Sequence, residues 1–150
     1  MLRDEPLTSH FYLSQLIANP VMARAGLRNE PMSAQVANLR RTAQALEVVR
    51  AMLAGADVHV LRGYRQVAVV GSGDEAEGDG RSVDFIAPRF GTPREICAHL
   101  IAQGLVFDRL VAAPQWVQLD IPRHAQEPRR ILQTGVFMPF SSMTYLEGLL

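Results

Sequence analysis

The chain has 150 residues, 48% of them apolar, and its 15 Lys and Arg balance its 15 Asp and Glu. That is enough chain for one domain with one core, and the balanced charge excludes non-specific binding to nucleic acid or to an anionic membrane as the main task. One cysteine, Cys97, excludes an intrachain disulfide and a multi-cysteine metal site.

Residues 1–6 carry no apolar run like that of a signal peptide, and no stretch approaches the ~20 apolar residues that span a bilayer. A chain cytoplasmic when made, with no membrane partner, is the expectation. Residues 8–32 are punctuated by Pro20, Gly26 and Pro31, which predicts a short helix near Phe11–Ile17 followed by irregular chain. A long helix is predicted from an N-cap at Ser33 to about Ala54. Val36, Leu39, Ala43, Leu46, Val49 and Leu53 recur at three- and four-residue steps on one face, and Gly55 is the stop.

Asp57–Leu61 reads as a strand. The acidic run Gly73–Gly80 does not fit a calcium-loop pattern and reads as a solvated loop. Thr92, Pro93 and Glu95 form a complete helix start, with Thr92 as N-cap, and the helix ends at Gly104. Cys97 lies in this pattern, where a thiol is more often a small buried apolar group than a nucleophile. Leu105–Ala112 and Gln115–Ile121 are strand-like. The second alternates, with Val117, Leu119 and Ile121 on one face and Trp116, Gln118 and Asp120 on the other. A last strand covers Arg130–Phe137. The expected fold class is α+β: a mostly antiparallel sheet, one long N-terminal helix and a second helix between strands.

Four segments in this order resemble the zinc D-alanyl-D-alanine carboxypeptidase family, especially its small phage-associated members. His10-Phe11-Tyr12-Leu13-Ser14 is similar to the family's usual opening, and Arg62-Gly63-Tyr64-Arg65 to its Ser-Gly-Tyr-Arg substrate turn. Gly80-Arg81-Ser82-Val83-Asp84-Phe85, followed by Gly91–Cys97, resembles its metal-site strand and following helix. Trp116-Val117-Gln118-Leu119 stands where the family has Trp-Val-His and an apolar residue. The resemblance spans residues 10–137.

In the family, zinc is held by a His, an Asp seven residues later and a His on a later strand. The resemblance places these positions at Glu77, Asp84 and Gln118, so one ligand of three is retained. Two lost imidazoles leave an all-oxygen set that suits Mg²⁺ or Ca²⁺ better than zinc. The turn is altered at Arg62, and the Asn expected after it is Val70. Arg65 matches the family's substrate-carboxylate arginine; a structural ion pair is its other reading. Asp84 is either a remnant ligand or a hydrogen-bonded acid at a groove. Tyr64, Trp116 and Asp120 are further cleft candidates, and Glu77, Asp84, Gln118 and Asp120 together could form an oxygen-rich cation site. None of His10, His59, His99 and His124 falls at a family ligand position, although His59 or His124 with Asp84 is a conceivable rebuilt site.

The resemblance therefore implies a catalytically degenerate peptidoglycan-peptidase-like domain, phage or prophage encoded, with a binding or structural role in a virion. No cofactor is expected. The alternative is an active metal-dependent hydrolase with an unusual ligand set, in which case the cofactor is zinc. Expected partners are a peptidoglycan stem peptide or other phage proteins, with no nucleic acid. The apolar stretches Val136–Phe140 and Tyr145–Leu150 would suit an oligomer contact.

Overall fold

The computed structural model describes residues 4–66, 75–139 and 142–150; Val70 and the start of the acidic run lie outside them. Two one-turn helices come first, α1 (Leu13–Ile17) and α2 (Pro20–Arg24), followed by the long helix α3 (Ser33–Met52). Strand β1 (His59–Arg62), short helix α4 (Glu75–Asp79), strand β2 (Ser82–Ile86) and helix α5 (Pro93–Ala102) follow. Strands β3 (Arg109–Ala112), β4 (Val117–Asp120), β5 (Ile131–Phe137) and β6 (Met143–Glu147) complete the chain. The class is α+β. Among the described residues, no helix is long and apolar enough to cross a membrane.

The six strands form one sheet in the order β1-β2-β4-β3-β5-β6. Neighbours are antiparallel except β3 and β5, which run parallel. Chain order explains the exception. β3 and β4 form a hairpin, closed where Ala113 N–H donates to the Trp116 carbonyl at 3.0 Å, and β2 already occupies the far side of β4. The chain leaving β4 must therefore cross beneath β3 and rise beside it in the same sense.

Alternation along the strands sends Val83, Phe85, Val117, Leu119 and Leu110 into the core, where they meet Leu39, Leu46 and Val49 of α3 and Ile96 and Leu100 of α5. Each such fully buried side chain contributes about 1.5–3 kcal/mol. α5 starts as its sequence requires. Glu95 N–H donates to Thr92 Oγ1 and Thr92 N–H to Glu95 Oε1, both at 3.2 Å. α3 begins one residue earlier than expected, because Met32 is its cap and donates its N–H to Gln35 Oε1 at 2.9 Å.

Four expectations are corrected. Residues 20–24 are helical, since the Asn19 carboxamide caps Met22 N–H at 3.1 Å and Pro20 occupies the first helical position. Residues 75–79 of the acidic run form α4, with Ala76 and Gly78 buried. α4 is stapled to α3, for Asn38 donates to the Asp79 carbonyl at 2.9 Å and Thr42 to the Gly80 carbonyl at 2.7 Å. The strand foreseen over Leu105–Ala112 is confined to its last four residues. The apolar stretch read at Tyr145–Leu150 begins inside an edge strand, Met143–Glu147.

Candidate functional site

Strand register assembles the site. Arg62 of β1 stands opposite Asp84 of β2, and Asp84 stands opposite Gln118 of β4. The three form a row on the sheet face opposite the core. α4 brings Glu77 to the same place, so that Arg62, Gly63, Glu77, Ser82, Asp84 and Gln118 line a pocket of ≈ 30 Å³, about the share of liquid volume taken by one water. Glu77, Asp84 and Gln118, which the resemblance nominated, are thus brought together.

Arginines hold both carboxylates. Arg62 Nε donates to Asp84 Oδ2 at 2.8 Å, and its guanidinium carbon lies 4.7 Å from the centre of the Trp116 ring. Trp116 is half-buried and meets Phe137 edge-on, with centroids 5.9 Å apart. It braces Arg62 rather than lining the pocket. Arg65 Nε pairs with Glu77 Oε1 at 3.3 Å, and Arg65 N–H donates to the Glu77 carbonyl, also at 3.3 Å. Of the two readings of Arg65, the ion pair is the one present in the geometry.

Asp120 does not line the pocket. It is 3% exposed, and its Oδ1 accepts a hydrogen bond from Gln118 Nε2 at 3.2 Å. The four-residue oxygen cluster foreseen from the sequence is therefore split, because Asp120 is not among the lining residues and Gln118 directs its amide nitrogen at Asp120. Tyr64 is 5% exposed, and burial raises its phenol pKa above the ordinary value. Its N–H donates to the Leu16 carbonyl at 2.7 Å.

The donor set does not fit a catalytic zinc. Two carboxylates already paired with guanidinium groups and one amide offer no imidazole, and the paired positive charges weaken the pull of each acid on a cation. The histidines lie elsewhere. The His10 ring bonds Glu47 at 2.7 Å, and the His99 ring meets the Met52 carbonyl at 2.8 Å; His59 and His124 are exposed. Among the described residues, no group of three or more His, Cys, Asp or Glu could hold a metal ion. Cys97 is fully buried, and burial pushes its thiol up to about 12.

Arg62 is the residue that sequence reasoning passed over. Its signal was present as the departure from Ser in the Ser-Gly-Tyr-Arg pattern, but its partner became visible only with the β1–β2 register. Beside the small pocket lies a groove of ≈ 650 Å³, walled by Pro20–Met22 and Arg24 on one side and Leu61–Arg65 and Glu77 on the other. A second set of charges lies at the start of β3, where the loop after β4 returns. Asp108 accepts from Arg129 Nε at 3.0 Å and NH2 at 2.7 Å, and the Arg129 guanidinium holds the Asp108 carboxyl below its ordinary range.

No protein-family model matches the chain, and no curated protein matches it.

Proposed function

We propose that this chain is a catalytically degenerate relative of the zinc D-alanyl-D-alanine carboxypeptidases, phage or prophage encoded, retained for a binding or structural role in a particle. Its scaffold would be the family's, with one long helix ahead of the sheet and a second between strands. The observation that carries the proposal is the Arg62–Asp84 pair. The one retained family ligand is bonded to a guanidinium that the family pattern does not have, and Glu77, standing for the first imidazole, is bonded to Arg65. A fixed positive charge beside both acids opposes a divalent cation by Coulomb repulsion, and without a well-held ion no water is acidified for attack on a peptide bond.

The groove beside the pocket supports a binding role. Arg24, Arg62 and Arg65 face it with Glu77 as the one lining acid among the described residues, next to the apolar side chains of Val21, Met22 and Leu61. That chemistry suits a short peptide carrying a free carboxylate, such as a peptidoglycan stem peptide, with the Arg24 guanidinium as receptor while Arg62 and Arg65 stay with Asp84 and Glu77. The alternative of an active hydrolase has one observation in its favour, that Glu77, Asp84 and Gln118 line one pocket.

The deciding experiment is elemental analysis after incubation with zinc and dialysis, beside a D,D-carboxypeptidase assay with and without chelator. We expect no stoichiometric zinc and no chelator-sensitive cleavage. One zinc per chain, with cleavage lost in Asp84→Ala, would overturn the proposal in favour of the hydrolase.

A further inference from the structure

The two edges of the sheet are finished differently. The β1 edge is met by α1, where a Cβ added at Gly63 would stand 2.3 Å from the Leu16 carbonyl oxygen. The β6 edge has no neighbouring strand among the described residues.

Which backbone groups face outward at β6 follows from the alternation of an antiparallel ladder. Met138 N–H donates to the Ser142 carbonyl at 2.8 Å, and Gly148 N–H donates to the Leu132 carbonyl at 2.9 Å. Between these two bonds the β5–β6 register runs unbroken. Thr144 and Leu146 therefore turn their N–H and C=O groups toward β5, and Met143, Tyr145 and Glu147 turn theirs outward.

Among the described residues this edge carries one guarding feature, the charge of Glu147; the strand itself holds no Pro, no Lys and no bulge. The chain after it turns away at Gly148, with φ of 77°. Leu150 N–H then reaches Thr134 Oγ1 at 3.1 Å, and the Leu150 carbonyl accepts from Arg94 at 2.7 Å, so residues 148–150 lie away from the edge. Tyr145 and Leu146 stay about two-fifths exposed, at 42% and 41%.

We propose that β6 pairs antiparallel with β6 of a second copy of this chain, about a two-fold axis at Tyr145. The occupant follows from self-complementarity. With Tyr145 against the partner's Tyr145 and Met143 against the partner's Glu147, all the outward N–H and C=O groups of both strands are satisfied together. A shift of two residues would leave one outward-facing residue of each strand unpaired. Glu147 is the one charge on the strand, and it faces a methionine rather than a like charge. The chain's net charge of zero adds no long-range repulsion between copies. The axis stands perpendicular to the sheet, so the dimer is a continuous double sheet of twelve strands with one Arg62–Asp84 pocket in each half.

Sedimentation of the full chain over a wide concentration range reads the contact directly. A concentration-dependent monomer–dimer equilibrium is expected. Tyr145→Pro removes an outward N–H and leaves the bonds to β5 in place, and it should give monomer at every concentration. Oxidation of Tyr145→Cys should give a disulfide-linked dimer, since paired Cα atoms ~5.5 Å apart suit the bond. Thr144→Cys should not cross-link, because its own copy lies two residues out of register, beyond the ~7 Å limit. A chain that stays monomeric overturns the proposal and leaves the edge to a different partner or to none. A dimer that survives Tyr145→Pro, or that cross-links through Thr144, overturns it by placing the contact or the register elsewhere. If Tyr145→Pro does not fold, the cysteine pair decides.

Discussion

The Arg62–Asp84 contact can be measured as a coupling energy by comparing Arg62→Met, Asp84→Asn and the double variant with the parent. Methionine keeps most of the arginine stem while removing the fork, and asparagine keeps the carboxylate's shape while removing its charge. Arg62 is 49% exposed and Asp84 18%, so the pair lies between a surface ion pair and a buried one. A fully exposed pair couples by about 0.2–1 kcal/mol, and a charge-assisted bond at 2.8 Å to a mostly covered carboxylate lies at or just above the top of that range. We expect a coupling of about 1 kcal/mol from denaturant unfolding. Arg62→Met alone should cost about 1–2 kcal/mol, because it also removes the guanidinium from the Trp116 ring, a contact worth about 0.5–1 kcal/mol. The coupling should weaken in high salt. A coupling of zero at low salt would mean that the Arg62 head is solvated and that Asp84 is not held by it. The central support for a degenerate site would then be gone.

Two further outcomes test the frame around the site. Asp108→Asn should destabilise by about 2 kcal/mol at neutral pH, the loss of charged hydrogen bonds to a buried carboxylate. Because Arg129 lowers the folded-state pKa of Asp108, its contribution is fully present above the ordinary carboxylate value near pH ~4. It is lost as the pH falls through the lowered value, so parent and variant should converge in acid; a gap independent of pH would refute the ion-pair account. Gly63→Ala forces a Cβ to within 2.3 Å of a backbone oxygen of α1, and should cost about 1–3 kcal/mol as α1 is pushed off β1. An alanine variant with unchanged melting would show that α1 is not packed on this turn.

Much of the frame was legible in the residues themselves. The three- and four-residue spacing in α3 marked the face that is buried, and Thr92-Pro93-Arg94-Glu95 marked the start of α5, because caps and periodicity act within a few residues. The α+β class followed from the same local signals. The short elements α2 and α4 were not legible. A five-residue helix is too short to show a period, and α4 is held by Asn38 and Thr42, partners about forty residues away in sequence. β6 was hidden for a related reason, since each of its faces mixes polar and apolar residues and only its pairing with β5 shows it to be a strand.

The candidate site divides along the same line. Sequence by itself determined which residue types occupy the nominated positions, namely Glu77, Asp84 and Gln118 with no imidazole among them. It also held Arg62 in the turn. Tertiary structure alone decided that Arg62 meets Asp84, that Arg65 pairs with Glu77, and that Asp120 stands outside the pocket lining with Gln118 bonded to it. Side-chain chemistry is written in the chain, whereas pairing across β1, β2 and β4 depends on register, and register is set by the whole core rather than by any one strand.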